Sequence, residues 1–298
     1  MRHAPERTPP RLRRTAARPR GRSRILRAAG AWAALTAVGA VGAVGAAAAA
    51  GLPGAGGAIP AAPASCAKPV YLTFDTGHMG VAPLVAEVLQ RQQVRVTFFL
   101  ANERTLTGGG SLDDTWAPWW RARAAEGHAF GSHTWDHGVW QADLPDGRLR
   151  LKPTMGPQAG QRLGLSPAEY CAELKRPAER FTAMTGQALG PWFRAPAGRT
   201  SPALLAAARA CGFQHVGWSP AGFLGDELPS ERYPNAQLLA RALRDIRPGD
   251  ILLAHLGIWS RHEPWAPAVL EPLVSGLKAR GFCFKTLAEH PVLGAAAR

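Results

Sequence analysis

From Lys68 onward, short runs of β-branched and aromatic residues alternate with stretches whose apolar positions recur at helical spacing. Residues 70–75 form a continuous apolar run closed by an acid and a glycine, the pattern of a buried strand ending in a turn. Val81, Leu84, Val85, Val88 and Leu89 then fall three or four apart, which predicts a helix over 81–93. The same reading gives strands at 96–100, 129–132, 192–193, 215–218, 251–255 and 282–285. Helices are expected at 116–126, 167–185, 201–211, 235–246 and 266–280. Pro167 suits a first helical turn, and Ser201 suits an N-cap ahead of Pro202. Residues 138–165 interrupt the alternation and read as irregular. Such alternation favours a parallel sheet with crossover helices, open or closed into a barrel, with its chemistry at the carboxyl ends of the strands. Asp75, His133, Arg194 and His255 each fall at or just after such an end.

Hydrophobic residues make up 46% of the 298, enough for a sizeable core and against disorder. The formal charge of +14 would suggest a nucleic-acid partner until it is located. Residues 1–27 hold ten arginines against the single acid Glu6 and so carry most of that charge. No nucleic-acid partner is therefore expected. No charged residue follows between Arg27 and Lys68, and 28–50 is an Ala/Val/Gly run with Trp32 and Leu35. A basic leader (1–27) before an apolar segment (28–50) is the order of an export signal or signal anchor, which would be the route to the membrane if uncleaved. Residues 51–67 read as a Gly/Pro/Ala linker, and 68–293 as one catalytic domain exported to the periplasm or the outer face of the cytoplasmic membrane. Of four cysteines, the expected pairing is Cys66 with Cys283, near the two ends of the domain, and Cys171 with Cys211; the alternative is four separate buried thiols.

The chemistry centres on His133-Thr134-Trp135-Asp136-His137. Two histidines four apart share one face of a helical turn, so both imidazoles can reach one ion. With nine histidines in the chain, such a pair arises by chance about once in four chains of this kind, so it needs company. It has it. Leu72-Thr73-Phe74-Asp75-Thr76-Gly77 ends a strand in a carboxylate and a glycine turn. Trp192-Phe193-Arg194-Ala195-Pro196-Ala197-Gly198 follows another, and Leu252-Leu253-Ala254-His255 ends a third.

In this order and spacing the segments resemble the polysaccharide deacetylase family (the NodB-homology or carbohydrate esterase family 4 domain). Its motifs read T-F-D-D-G, H-[ST]-x-x-H, R-x-P-x-G, an acid- and tryptophan-containing loop, and L-x-H. The resemblance covers about residues 68–290. It implies an α/β fold, a distorted (β/α) barrel, with a divalent metal, commonly zinc, at the strand carboxyl ends. By position it implies Asp75 as base, His133 and His137 as metal ligands, Arg194 as the residue orienting the base, and His255 as general acid. Leu253 would form the wall for the acyl methyl, and Trp218 would also lie against the substrate; the backbone N–H groups of Ala197 and Gly198 are candidates to help the metal hold the oxyanion. The implied reaction is metal-dependent hydrolysis of the N-acyl group, commonly N-acetyl, of a cell-envelope amino-sugar or glycan.

Two departures stand out. Thr76 replaces the family's second aspartate, a metal ligand, and threonine is a poor ligand for zinc; water, the nearby His78, Asp75 or Thr76 itself is then the candidate to complete the shell. After Trp218 the acids of the fourth motif are absent or displaced to Asp226, a candidate partner for Arg194. His133–His137 with the following Gly138-Val139-Trp140-Gln141-Ala142, and the Asp75-Thr76 pair, are also similar to lipid-linked formamido-arabinose deformylases. That likeness brings in a lipid-linked sugar as the alternative substrate. An inactive glycan-binding member of the family is the third reading.

Overall fold

The structure is a computed structural model that describes residues 57–62 and 65–295. The expected leader, the apolar segment and residues 51–56 and 63–64 of the linker lie outside the described residues. Among the described residues no helix is long and apolar enough to cross a membrane.

The chain enters through β1 (Pro69–Asp75), followed by α1 (Ala82–Arg91), β2 (Thr97–Leu100), α2 (Ala117–Ala125) and β3 (Ala129–Ser132). An antiparallel excursion follows: β4 (Gly138–Asp143), β5 (Leu149–Pro153) and β6 (Leu163–Leu165). The alternation then resumes with α3 (Pro167–Thr185), β7 (Trp192–Phe193), α4 (Pro202–Ala210), β8 (Gln214–His215), α5 (Asn235–Asp245), β9 (Ile251–His255), α6 (Leu270–Ala279) and β10 (Cys283–Phe284). The large sheet runs β10-β1-β2-β3-β7-β8, with β9 on β1, and every pairing in it is parallel. The result is a curled parallel half-barrel of the α/β class.

Period-two alternation along the central strands decides what each face carries. Phe74, Phe98 and Phe130 pack into the core under the helices with Trp120 and Phe181. Thr73, Asp75 and Phe99 point to the other face, where they meet Arg194. Because both faces are covered, the strands read in the sequence as unbroken apolar runs. Register puts the strand ends level: Asp75 lies opposite His255 on β9 and Phe99 on β2, while Ser132 lies opposite Phe193.

The structure corrects several expectations. Half of residues 138–165 form a three-stranded antiparallel sheet rather than irregular chain, and Leu149, Leu151 and Pro153 on β5 turn inward. Strand pairing near residue 215 stops at His215, so Trp218 lies on a loop. The last helix begins at Leu270 rather than 266. Helix α3 matches its expected span, with Ser166 and Glu169 forming a reciprocal capping box and Gly186 closing it at a positive φ of 75°. Cys66 and Cys283 form a disulfide. Cys171 and Cys211 do not: both are free thiols, and burial, with Cys171 beside it, pushes the Cys211 thiol up to about 12.

Candidate active site

At the carboxyl ends of the strands lies a cleft of about 240 Å³, lined by Asp75, Glu103, His133, His137, Ala195, Ala197, Trp218, Glu227, Leu253, His255 and Ile258. The first strand delivers Asp75. Gly77 then turns the chain with φ +72°, and a Cβ there would stand 2.1 Å from the Gly257 carbonyl oxygen. Only glycine allows the loops after β1 and β9 to close this tightly. Asp75 Oδ1 accepts from Arg194 Nη1 at 2.7 Å, and Oδ2 stands 3.4 Å from His133 Nε2.

Arg194 is itself fully buried. Its remaining donors go to Thr73 Oγ1 (2.8 Å) and to the carbonyls of Val216 (3.1 Å) and Gly217 (3.0 Å), and its guanidinium lies over the Phe99 ring. Burial alone would raise the Asp75 carboxyl. Arg194, His133 and His255 outweigh it and hold the carboxyl below the usual carboxylate range, so it stands ready as a base.

The two histidines do not share a helical turn, as their spacing had suggested. They sit in a loop after β3 that bends through positive φ at Thr134 (63°) and His137 (49°). That bend brings the rings to 4.8 Å between centroids, crossed at 70°. Thr134 Oγ1 accepts from Gly138 N–H, and the Trp135 carbonyl accepts from Asn102 N–H, which pins a conformation uncommon for residues with a Cβ. His133 donates through Nδ1 to the Arg194 carbonyl at 2.9 Å, leaving Nε2 aimed into the cleft. His137 Nδ1 pairs with Thr154 Oγ1 at 2.6 Å, just past the end of β5, so the antiparallel sheet orients the second imidazole. Burial lowers His133 to about 4, keeping it neutral near neutral pH.

His255 ends β9. Its backbone N–H donates to Asp226 Oδ2 at 2.6 Å, and Nδ1 lies 3.2 Å from both Asp226 oxygens. Asp226 therefore backs His255, not Arg194. Burial opposes a proton on this ring, but Asp226 first, then Asp75 and Glu227, prevail and raise His255 to about 9.

Of the candidates for the missing ligand, neither Thr76 nor His78 joins the pair. Thr76 does not line the cleft; its Oγ1 donates to Glu103 Oε2 at 2.5 Å and accepts from Ala101 N–H at 3.2 Å. His78 faces the far side of the Gly257 turn, where Nδ1 accepts from Gly80 N–H and the ring meets Trp259 edge-on. Gly198 spends its amide on the Ala195 carbonyl and lies beneath Trp218, where a Cβ would stand 2.7 Å from the ring. Of the pair at 197–198, only Ala197 lines the cleft.

Glu103, Glu227 and Thr154 were missed. Glu103 follows β2 as Asp75 ends β1, so the strand-end rule could have found it; nothing in the sequence marks Thr154.

Two imidazoles with anchored Nδ1 atoms, beside two buried carboxylates, are a donor set that suits a divalent ion such as zinc. Among the described residues no three His, Cys, Asp or Glu side chains are already arranged to enclose an ion, so a side-chain adjustment or water must complete the shell.

Comparison with known proteins agrees with this geometry. The family model described as polysaccharide deacetylase matches residues 63–216, about half of the chain. A chitooligosaccharide deacetylase of Azorhizobium caulinodans is 28% identical over 230 residues, 73% of this chain and 92% of that protein. A peptidoglycan N-acetylmuramic acid deacetylase of Bacillus subtilis is 26% identical over 221 residues, 74% of this chain and 70% of that protein. Among solved structures, a family 4 acetyl xylan esterase from Clostridium thermocellum, in complex with a cobalt ion, has the same fold at a TM-score of 0.59 and 24% identity, covering 76% of this chain and 92% of that one. Strand-end chemistry, fold and family model lead to one conclusion: this chain belongs to the polysaccharide deacetylase family.

Proposed function

We propose that this protein is an exported, divalent-metal-dependent hydrolase, zinc being the expected ion, that removes the N-acetyl group from an amino-sugar of the cell envelope. The observation that carries this reading is the pairing of Asp75 and His255, level with each other on adjacent strands and both lining one cleft. Asp75 is clamped by Arg194 at 2.7 Å as an ionised carboxylate, and His255 is backed by Asp226 as a protonated imidazole. An acid and a base held in opposite protonation states at the same pH are what amide hydrolysis requires.

His133 and His137 would hold the ion. The chemistry it supplies when bound is polarisation of the acyl carbonyl and acidification of water. The protein's own groups account for the protons. Asp75 takes one from the attacking water as oxygen bonds to the acyl carbon. His255 gives one to the sugar nitrogen as the carbon–nitrogen bond breaks, releasing acetate and a free amine. Leu253, Ile258 and Trp218 form the apolar wall against which an acetyl methyl would pack.

The substrate class is supported by the two curated relatives, named for chitooligosaccharide and for peptidoglycan. Export is supported by the order of basic and apolar segments before the domain and by the Cys66–Cys283 disulfide, which belongs in an oxidising compartment.

The test is acetate release by the purified chain from N-acetyl chitooligosaccharides and from peptidoglycan, with zinc or cobalt added after chelation. Asp75→Asn should lower the rate by about 10²–10⁴-fold, the usual contribution of general base catalysis, with metal binding retained. No acetate from either substrate, with metal bound, would overturn the reading. Measuring formate and lipid-linked sugars in parallel separates deacetylation from deformylation.

A further inference from the structure

Glu103 is a buried carboxylate that accepts two hydrogen bonds and, among the described residues, makes no salt bridge. It lies three residues beyond β2 and is 6% exposed. Its backbone is locked: Glu103 N–H donates to Ser111 Oγ at 3.1 Å, Ser111 N–H returns to the Glu103 carbonyl at 2.8 Å, and Ser111 Oγ donates to the Ala101 carbonyl at 2.6 Å. Its side chain is aimed as firmly. Oε2 accepts from Thr76 Oγ1 and from Gly77 N–H, while Oε1 makes no hydrogen bond among the described residues.

Among the described residues no lysine or arginine pairs with this carboxylate; it lines the cleft together with the imidazoles of His133 and His137, and His78 lies near it, just past the Gly77 turn. An ionised carboxylate withdrawn from water costs several kcal/mol unless a positive charge accompanies it. Nearby, two imidazoles present Nε2 atoms to the same cleft, and the position after Asp75 carries a threonine that does not reach it. Strands β1 and β2 are adjacent and parallel, so a carboxylate lost from the end of one can be supplied from the end of the other.

We propose that Glu103 is the third protein ligand of the metal, presented through Oε1, and that Thr76 is the hydrogen-bond donor that holds its other oxygen. The site then keeps two imidazoles and a carboxylate while drawing the carboxylate from a different strand. This rests on the metal-dependent reading above and goes beyond it by assigning the ligand shell.

The test is metal binding, independent of turnover. The full chain, stripped with chelator, is titrated with Co²⁺ and with Zn²⁺ by calorimetry, and the Co²⁺ visible spectrum is recorded. Glutamine keeps an oxygen that can accept from Thr76 and Gly77 and loses only the charge, so Glu103→Gln should fold normally. It should bind metal more than about 100-fold more weakly, beyond the 10–100-fold typical of a residue that merely orients a ligand. Adding Thr76→Asp to Glu103→Gln should restore affinity to within about tenfold of wild type, because the carboxylate returns from β1. If Glu103→Gln does not fold, Glu103→Asp retains the charge on a shorter arm, and its Co²⁺ spectrum should differ from wild type. Wild-type affinity in Glu103→Gln, or an unchanged spectrum in Glu103→Asp, would overturn the assignment while leaving metal dependence intact. A wild-type chain that binds no metal would overturn both.

Discussion

At the scale of single residues, the site depends on which partner each titratable group is given. Asp75 and His255 lie opposite one another in register, yet Arg194 holds the first ionised and Asp226 holds the second protonated. The pH dependence follows from His255. The general acid must carry its proton, so kcat/KM should fall as pH rises through about 9. In Asp226→Asn the largest influence raising that ring is gone while burial still opposes the proton, so the falling limb should move to lower pH. A limb that stays near 9 in the variant would assign it to another group. The linkage to stability has the matching sign. His255 is raised on folding, so the stability it contributes is fully present below the ordinary histidine pKa of about 6.5 and is lost as pH rises through about 9. Much of this was legible in the sequence, because a strand-end acid, a strand-end histidine and an arginine after a third strand obey a positional rule that does not need coordinates. The partner of Asp226 was not legible. Both Arg194 and His255 are chemically suitable, and only the path of the loop after residue 218 decides between them.

At the scale of elements, the least expected feature is the antiparallel sheet β4–β6. It departs from an otherwise repeating alternation, and its strands are short, bulged between Trp140 and Ala142, and joined by glycine-rich turns. Yet the inward Leu149, Leu151 and Pro153 did alternate with the exposed Arg150 and Lys152, and the period of two was there to be read. What no pattern could give is its role. The segment leaving β5 places Thr154 Oγ1 at 2.6 Å from His137 Nδ1, so an excursion outside the parallel sheet fixes the orientation of an imidazole in the cleft. Thr154→Val keeps the shape and removes the hydroxyl. It should weaken metal binding by about 10–100-fold with little change in thermal stability, as measured by calorimetric titration and by melting. An unaltered affinity would mean that the left-handed backbone at His137 is sufficient to aim the ring. The same comparison explains why the histidine spacing misled. Four residues apart suggested one helical face, but two positive-φ residues replace the helix, and hydrogen bonds to residues 102, 138 and 154 hold the loop in that shape.

At the scale of the whole molecule, the domain's first and last strands are neighbours: Pro69 and Val70 on β1 pair with Cys283 and Phe284 on β10. The Cys66–Cys283 disulfide closes that junction over a sequence separation of 217 residues. Strand β10 is only two residues long and makes few ladder hydrogen bonds of its own, so the covalent link and the pairing with β1 act on one short element. A bridge closing so long a loop restricts the unfolded chain strongly, and removing a native one typically costs about 2–5 kcal/mol. For a domain of this size each kcal/mol lowers the melting temperature by about 2–4 °C, so Cys66→Ser should melt roughly 4–20 °C below wild type. Reductant should lower the wild-type melting temperature to that of the variant and leave the variant itself unmoved. Cys171 and Cys211 provide the internal control, because both are free thiols and Cys171→Ala should not reproduce the loss. If reductant destabilises Cys66→Ser as well, a second disulfide forms in the protein, and the free thiols Cys171 on α3 and Cys211 at the end of α4 are the pair that would supply it.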